Sequence, residues 1–542
     1  MASSTISVLI AASFLLALIW DSRRCEGFGT YGFDIHHRYS DSVRGVLDLQ
    51  GLPEKGTVEY YAAMAHRDRI FRSRKLAGTA AAGSTELTFA AGNETYEISS
   101  LGYLHYANVS VGSPSLWFLV ALDTGSNLFW LPCDCISCLR GSLMSPGHKI
   151  DLNVYSPSTS STSVKASCNN TFCGQEGRCA VKHNACIYEV SYLSTDTSSI
   201  GILVEDMLHL TTADSHSKVV NAQITFGCGK IQTGSFLNGA AFNGLFGLGM
   251  DGISVPSILT SKGLTANSFS MCFGPDGIGR IIFGDKGSTE QGETPLNVEK
   301  EHPIYNISVT RISVENDITE LDFTAIFDSG TSFTYLTDPA YSIITDNFNS
   351  RAKEKRYQSD SDVPFEYCYE LSLNQNSKIP KLYLTMKGGK QFYVTNPIEE
   401  FSLQSGGYVY CLAIIRSRDI NIIGQNFMRG YRVIFDREKM VLGWQASNCY
   451  DAIANTLPID SQNSSAVPPT SVDPEDSTSG ARHGSSVSGP PSLSWPTTQL
   501  PLPTNQSQRL DSFTPTLFLV LVSLFLHFFA IQLYNFLQGN KQ

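Results

Sequence analysis

The sequence predicts an all-β (mainly β) protein of two lobes with a cleft between them. Residues 101–444 consist of short β-branched and aromatic runs separated by Gly, Asn, Asp and Ser, which is typical of strands joined by turns. A composition of 42% hydrophobic and 16% charged residues, with 44 glycines, suits a β-rich globular protein. A chain of 542 residues also exceeds what one hydrophobic core usually organises, so two packed lobes are expected.

The first element is a predicted signal peptide at residues 1–26. An uninterrupted apolar stretch from Val8 to Trp20 has the length of a signal-peptide core. If cleavage removes Cys25, the thirteen cysteines become twelve, the even number that a disulfide framework in an oxidising compartment requires. We therefore expect passage through the secretory pathway to the extracellular side of the plasma membrane.

The second element is a predicted pro-segment at residues 27–95. It is basic and helix-permissive, with cationic residues concentrated between His66 and Lys75 ahead of the small-residue run Ala80–Gly83. Positive charge in front of an acidic body can lie across an acidic cleft and block it. The alternative is a solvated charged helix that serves only as a linker.

Two lobes, a stalk and a tail follow. The predicted lobes span residues 96–290, with a cysteine-rich insertion, and 291–450. Residues 451–515 are rich in Ser, Thr and Pro and predict a flexible stalk. The apolar tail at 516–542 is either a transmembrane helix or a removable signal for a glycosylphosphatidylinositol anchor. We favour the lipid anchor, with Asn505 as the candidate attachment residue.

The sequence also contains six Asn-X-Ser/Thr acceptors for N-glycosylation, which are compatible with secretion. They are Asn93, Asn108, Asn169, Asn306, Asn463 and Asn505. A formal net charge of −11 argues against a nucleic-acid partner, because phosphate binding needs a basic surface. We expect a monomer whose partners are peptide or protein substrates and a membrane, reached through the lipid anchor or a transmembrane helix.

Two segments about two hundred residues apart have the same build. The apolar run 118–122 leads into Asp123-Thr-Gly-Ser, and the run 325–327 leads into Asp328-Ser-Gly-Thr. A single Asp-Ser/Thr-Gly tripeptide is usually only a turn, since Asp and Ser bond their own backbone and Gly supplies positive φ. Repetition after an apolar strand instead indicates two related lobes that bring two loop tips together.

The chemistry of this pair gives each residue type a role. Two carboxylates held close cannot both ionise cheaply, so they share a proton and serve as base and acid for an attacking water, without metal or cofactor. The pair predicts an acidic optimum. The neighbouring hydroxyls can bond across the two tips or orient the outer carboxylate oxygens, and the glycines let backbone amides approach. These supporting residues are Thr124, Gly125, Ser126, Ser329, Gly330 and Thr331.

Residues 123–132 resemble the first active-site segment of the pepsin family of aspartic proteases, and the segment at Asp328 resembles its partner. The elements 245–247 and 422–424 are similar to the apolar-apolar-Gly strands that pass behind each catalytic loop in that family. The likeness covers roughly residues 103–449. It implies a bilobal aspartic endopeptidase with Asp123 and Asp328 as the catalytic residues.

The cysteine cluster between Cys133 and Cys186 resembles the plant nepenthesin-type branch of that family, in which a cysteine-rich insertion follows the first catalytic loop. For a plant protein the expected extracellular location is the apoplast. The likeness suggests the pairs Cys228–Cys449 and Cys368–Cys411, although the full connectivity of twelve cysteines cannot be read from sequence. A zinc site at Cys133, Cys135 and Cys138 is the alternative to disulfides there.

Tyr192 falls where the family has the tyrosine of its flap, the hairpin that closes over substrate. The Gly-X-Gly turn that the resemblance implies after it is replaced by the longer tip 193–199. Tyr192 is otherwise an ordinary strand aromatic. Three functions remain open: an active endopeptidase, a catalytically silent protease fold that acts as a cell-surface binding or inhibitor protein, and a structural wall glycoprotein.

Overall fold

The computed structural model describes part of the chain. The described residues are 29–38, 40, 43, 53–76, 86–88, 95–97, 103–140, 142–143, 149–150, 152–174, 177–192, 197–213, 218–237, 239–274, 277–297, 303–358, 363–371, 378–403 and 406–449. The predicted signal peptide, stalk and tail lie outside these residues, as do Asn93, Asn463 and Asn505. Within the described part, no helix is both long and apolar enough to cross a bilayer.

Strands dominate the described residues, which confirms the predicted fold class. The described residues contain four α-helices, α1 (Val58–Leu76), α2 (Val255–Ser261), α3 (Ala340–Arg351) and α4 (Gln425–Met428). The strands are β1 (Tyr31–His37), β2 (Glu86–Thr88), β3 (Thr95–Glu97), β4 (His105–Val111), β5 (Leu116–Asp123), β6 (Trp130–Ser137), β7 (Ser142–Leu143), β8 (Lys149–Ile150), β9 (Val164–Lys165), β10 (Gly177–Ala180), β11 (Ala185–Ser191), β12 (Ser198–Thr212), β13 (Val219–Gln232), β14 (Leu245–Gly247), β15 (Ser268–Phe273), β16 (Ile278–Phe283), β17 (Gly292–Pro295), β18 (Asn306–Val314), β19 (Asp317–Phe327), β20 (Thr334–Leu336), β21 (Arg356–Tyr357), β22 (Cys368–Leu371), β23 (Leu382–Met386), β24 (Gln391–Val394), β25 (Ile398–Ser402), β26 (Tyr408–Leu412), β27 (Ile414–Arg416), β28 (Ile422–Ile423), β29 (Tyr431–Asp436) and β30 (Val441–Ala446).

The strands form two lobes. A 15-stranded sheet runs in the order β10-β11-β12-β13-β6-β14-β5-β4-β1-β16-β15-β29-β30-β17, with β9 beside β12. The second lobe contains a 7-stranded sheet, β24-β23-β18-β19-β28-β20-β27, and a 4-stranded sheet, β21-β22-β26-β25. Because β29 and β30 come from the end of the chain and pair into the first sheet, the large sheet continues from one lobe into the other.

Side-chain alternation explains where each strand lies. In β16 buried and half-buried residues alternate strictly, as expected for a strand with one face toward the core. All six residues of β15 are buried instead. That strand lies between β16 and β29, and its residues on both faces are buried, including Ser268 and Ser270.

The predicted pro-segment contributes a strand as well as a helix. Strand β1 pairs antiparallel with β16 over six residues and with β4 over three. Ile35 is fully buried in the main core, and Asp34 forms an ion pair with Arg280 of β16 at 2.8 Å. The basic composition of the segment predicted its helix but gave no signal for this inner strand.

A short strand runs parallel to each aspartate-bearing strand. Strand β14 pairs with β5 at Asp123, and β28 pairs with β19 just before Asp328. A Cβ added at Gly247 would lie 2.2 Å from the Asn127 carbonyl oxygen. At Gly424 it would lie 2.1 Å from the Phe333 carbonyl oxygen. Both glycines are therefore required for the aspartate loops to pass this closely.

Six disulfides connect the cysteines of the described region. They are Cys133–Cys228, Cys135–Cys138, Cys168–Cys179, Cys173–Cys186, Cys272–Cys449 and Cys368–Cys411. The suggested Cys368–Cys411 pair is present. The three cysteines considered as zinc ligands, Cys133, Cys135 and Cys138, are all in disulfides.

The suggested Cys228–Cys449 pair is wrong. Strand β13 runs parallel to β6, which places Cys228 beside Cys133 with a Cα separation of 4.9 Å. Cys449 follows β30 and lies 5.6 Å, Cα to Cα, from Cys272 of β15. Since strand pairing fixes these neighbours, Cys228 and Cys449 each have a different partner within disulfide distance.

Candidate active site

Asp123 ends β5, a strand whose residues 118–122 are buried and apolar. The Gly125 N–H donates to Asp123 Oδ1 at 2.8 Å. The hydroxyl of Ser126, expected to orient an outer carboxylate oxygen, is buried and has no hydrogen-bond partner among the described residues. Its loop is held instead by its backbone, because the Gly249 N–H donates to the Ser126 carbonyl at 2.8 Å.

Asp328 follows β19 in the same arrangement and is 5% exposed. The Gly330 N–H donates to Asp328 Oδ1 at 2.9 Å, which reproduces the Gly125 contact on the other loop. The Thr331 hydroxyl donates to Oδ2 at 2.7 Å, as the sequence predicted. Each carboxylate therefore has one oxygen fixed by a glycine amide, and Asp328 has its second oxygen fixed as well.

The two loops are tied by a residue that sequence reasoning missed. Tyr305 is buried, and its hydroxyl donates to the Leu248 carbonyl at 2.8 Å. The Leu248 N–H bonds the Asp123 carbonyl at 2.9 Å, while the Tyr305 carbonyl accepts from the Phe327 N–H at 2.9 Å. This chain of three bonds leads from Asp123 to the residue before Asp328. An isolated tyrosine between strands gives no sequence signal for such a role.

Histidine 105 makes a second contact between the lobes. Its imidazole on β4 hydrogen-bonds the backbone of Ser329, next to Asp328. Among the described residues, no hydrogen bond joins the hydroxyls of Thr124 and Ser329, although both residues are buried. The predicted hydroxyl bond between the two tips is therefore absent among the described residues, and Ser329 is contacted by His105 of β4 instead.

His105 lies against His37 of β1, with ring centroids 5.2 Å apart. Burial lowers the pKa of His105 to about 3, and the nearby Arg67 adds to this effect. Burial, followed by the charges of His105, Lys55, Arg67 and Arg429, lowers the pKa of His37 well below its ordinary value. Both rings are therefore neutral at neutral pH.

Helix α1 places a buried ion pair directly on the Asp328 loop. The guanidinium of Arg67 donates to the Gly330 carbonyl at 2.8 Å and to Asp68 at 2.8 Å. Asp68 accepts from the backbone N–H groups of Ser332 at 2.9 Å and Phe333 at 3.1 Å. Burial raises the pKa of Asp68, which Arg67 and these two amides oppose. The contact is thus a specific pair of residues, where the sequence predicted a diffuse positive charge.

Tyr192 stands at the end of the β11–β12 hairpin, and residues 193–196 of its tip lie outside the described residues. The Trp130 indole donates to the Tyr192 hydroxyl at 2.7 Å. The Tyr192 ring packs edge-on against Phe236 with centroids 5.0 Å apart. Trp130 follows the Asp123 loop, so this bond connects the hairpin to the first aspartate segment.

Three glycosylation candidates lie in the described part. Asn108 and Asn169 are exposed, whereas Asn306 is half-buried and accepts from Asn297 at 3.3 Å. No group of three or more His, Cys, Asp or Glu side chains suited to a metal ion occurs among the described residues.

Comparison with known proteins gives matches along most of the described body. Residues 105–285 match the family model described as xylanase inhibitor N-terminal, and residues 304–446 match xylanase inhibitor C-terminal. Aspartyl protease family protein 1 of Arabidopsis thaliana is 56% identical over 478 residues, which cover 87% of this chain and 92% of that protein. Aspartic proteinase-like protein 1 of the same plant is 38% identical over 460 residues, or 79% of this chain and 85% of that protein.

Among solved structures, basic 7S globulin from soybean superposes with a TM-score of 0.52 at 18% identity. The match covers 80% of this chain and all of the globulin, 100% of its length. At this identity the likeness concerns the bilobal fold alone.

Proposed function

The chain belongs to the plant pepsin-like aspartyl proteases, and on this premise we propose that it is an aspartic endopeptidase whose catalytic pair is Asp123 and Asp328. The observation that carries the proposal is the matched geometry of the two loops. Each has a buried strand, an aspartate, and a glycine N–H bound to Oδ1 of that aspartate at 2.8 or 2.9 Å. The glycine contact alone occurs in ordinary Asp turns, and the proposal is supported by its repetition after two buried strands that each have a short parallel strand beside them.

The proposed reaction is hydrolysis of a peptide bond by water. Two carboxylates held close share one proton, so the ionised member removes a proton from water as it attacks the scissile carbonyl. The protonated member donates its proton to the carbonyl oxygen. The member that took the water proton then delivers it to the leaving nitrogen as the C–N bond breaks, and a hydroxyl of the intermediate returns a proton to the first member. The Gly125 and Gly330 amides fix Oδ1 of each aspartate, and Thr331 fixes the orientation of the Asp328 carboxylate. No covalent intermediate is required.

We propose further that residues 29–76 act as an inhibitory pro-segment. Support comes from Arg67 and Asp68, which occupy the carbonyl of Gly330 and the amides of Ser332 and Phe333. These backbone groups lie within five residues of Asp328 and are the ones that an extended peptide would bond beside it. Removal or displacement of α1 would therefore be needed before a substrate binds.

Secretion and tethering are part of the same proposal. Six disulfides suit an oxidising compartment, and Asn108 and Asn169 are exposed where glycans would attach. We propose a lipid anchor near Asn505, with a transmembrane helix as the alternative. Phosphatidylinositol-specific phospholipase C should release the protein from intact cells, whereas retention after treatment would favour the helix.

A catalytically silent binding or inhibitor protein is the second candidate. It is favoured by the description of the matching family model as a xylanase inhibitor and by the unpartnered Ser126 hydroxyl among the described residues. The intact pair of aspartate loops favours the enzyme.

The deciding experiment is hydrolysis of a denatured protein between pH 3 and 7 by the processed protein, with and without pepstatin. We expect acid-dependent, pepstatin-sensitive cleavage that Asp328→Asn abolishes. Asp322→Asn is the matched control, since Asp322 is an exposed residue of the same strand, and it should cleave like the parent. Correctly folded, processed protein that cleaves nothing would establish the silent candidate.

A further inference from the structure

Tyr61 of α1 is seated in a pocket of the second lobe made by three aromatic rings. Its ring centroid lies 5.3 Å from Phe401, 6.1 Å from Phe365 and 6.2 Å from Phe333. Phe333 and Phe365 meet edge to face at 5.0 Å and form one wall. Tyr61 is 5% exposed, so the pocket encloses the whole side chain.

The pocket has a polar end that fits a phenol. The Tyr61 hydroxyl donates to Glu399 Oε2 at 3.1 Å, and the Glu400 carbonyl lies 3.4 Å away. The other oxygen of Glu399 is bound by the Arg429 guanidinium. Because Arg429 already pairs with Glu399, a substrate lysine or arginine would gain little binding energy in this pocket. An acidic side chain would be repelled by the Glu399 carboxylate at the base of the pocket.

The pocket is continuous with the Asp328 loop. Phe333 is the fifth residue after Asp328, and its own N–H is bound by Asp68. Tyr61 precedes Asp68 by seven residues of helix, a rise of about 10 Å, which an extended peptide spans with about three residues. A peptide bonded to the amides of Ser332 and Phe333 would therefore reach the pocket with a side chain about three residues along.

Departure of α1 would uncover this pocket. Phe333, Phe365 and Phe401 are all at most 3% exposed with Tyr61 in place. Three adjacent aromatic rings open to solvent form the kind of apolar patch that marks a binding site. Strand β25 lies at the edge of its sheet beside the pocket, where Gly56 accepts from the Ser402 N–H at 3.1 Å, so backbone contacts are available too.

Resting on the peptidase activity proposed above, we propose that this Tyr61 pocket is a specificity site that accepts a tyrosine side chain of the substrate, and that Tyr61 occupies it as a substrate mimic in the unprocessed chain. A substrate phenylalanine would pack against the three rings but would leave Glu399 without the hydroxyl donor that tyrosine supplies. Leucine and alanine fill less of the pocket.

The test uses secreted, processed protein and peptides that share one cleavable bond. Tyr, Phe, Leu, Glu or Ala is placed in turn at two to five residues on either side of that bond. We expect one position at which kcat/KM for Tyr exceeds Ala by about 100-fold and Phe by about tenfold. Equal values at every position would overturn the proposal.

Variants assign the preference to the pocket. Phe401→Ala should reduce the Tyr-to-Ala ratio about tenfold or more, and Glu399→Gln should reduce the Tyr-to-Phe ratio. Phe401→Leu replaces the first variant if that protein does not fold. Phe323→Ala, which removes a half-buried ring of β19 outside the pocket, is the matched control and should keep both ratios. A Tyr preference unchanged in all pocket variants would also refute the proposal.

A binding arm separates this proposal from the catalytic one. The same peptides, fluorescently labelled, are titrated by anisotropy against Asp328→Asn protein whose pro-segment has been cut by an added protease. Binding at least tenfold tighter for Tyr than for Ala at one position, with no cleavage by the parent protein, would overturn the peptidase and keep the pocket. Cleavage by the parent without any Tyr preference in either arm would keep the peptidase and refute the pocket.

Discussion

Acid should loosen the docked N-terminal segment through His37 and His105. Both rings are buried at the contact between β1 and β4, and His105 has its pKa lowered from 6.5 to about 3. Release of β1 together with α1 would expose both rings, whose pKa values would return toward 6.5. The released state therefore binds more protons than the docked state between these two values.

The direction and magnitude of the pH effect on docking follow from this difference in proton binding. The docked state keeps its full stability above about pH 6.5 and loses it as the pH falls toward 3, at about 1.4 kcal/mol per pH unit for each histidine. At pH 4.5 the loss for His105 is about 2.7 kcal/mol, roughly a hundredfold in the docking equilibrium. His37 adds to this, although two rings this close titrate as a coupled pair. Asp68 acts in the opposite direction, because its pKa is raised in the docked state.

Hydrogen exchange of the α1 amides at pH 7 and 4.5, corrected for intrinsic rates, measures the docking equilibrium. An Asp328→Asn background prevents self-processing. We expect protection of residues 58–68 to fall by a hundredfold or more at pH 4.5, and by less than tenfold in a His37→Gln, His105→Gln protein. If both proteins lose the same protection, the histidines are not the acid-sensitive groups, and the carboxylates carry the effect.

Three further predictions test the contacts one at a time. Asp68→Ala should leave the Phe333 N–H unpaired and weaken docking of α1 by about 2–3 kcal/mol. The pro-segment should then be proteolysed faster at pH 7, and an unchanged rate would contradict the role of Asp68 in holding α1. Cys449→Ser should lower the melting temperature measured by scanning calorimetry. The Cys272–Cys449 bond closes a separation of 177 residues and contributes about 2–5 kcal/mol to the free energy of unfolding, so an unchanged midpoint would refute this prediction. Gly424→Ala should prevent accumulation of folded protein, since its Cβ would lie 2.1 Å from a carbonyl oxygen, and normal secretion would contradict the required close approach.

Local signals predicted the turns that hold Asp123 and Asp328. The Asp123 and Asp328 loops, with their glycines, depend on tight turns after apolar strands, and such turns are encoded by neighbouring residues. The roles of Gly247 and Gly424 followed from resemblance, and the structure explains them by distances of 2.2 and 2.1 Å. Thr331 was predicted correctly for the same local reason.

Contacts that depend on sheet order were not predictable. Cys228 pairs with Cys133 because β13 lies beside β6, and a single sequence gives no register for a parallel pair so far apart in the chain. Tyr305 and His105 act through neighbours brought in from the other lobe. The Ser126 hydroxyl is the opposite case, since the residue type suited the role and the hydroxyl makes no hydrogen bond among the described residues.

The position of β1 has a consequence for how the chain is cut during maturation. A strand hydrogen-bonded on both sides cannot leave without exposing two open edges, on β16 and β4, and the cavity left by Ile35. Open edges of this kind recruit other strands and lead to aggregation. A soluble two-lobed product must therefore either retain residues 31–37 as a separate non-covalent chain or fill their place with another strand. N-terminal sequencing of the mature protein under denaturing conditions would show one chain or two.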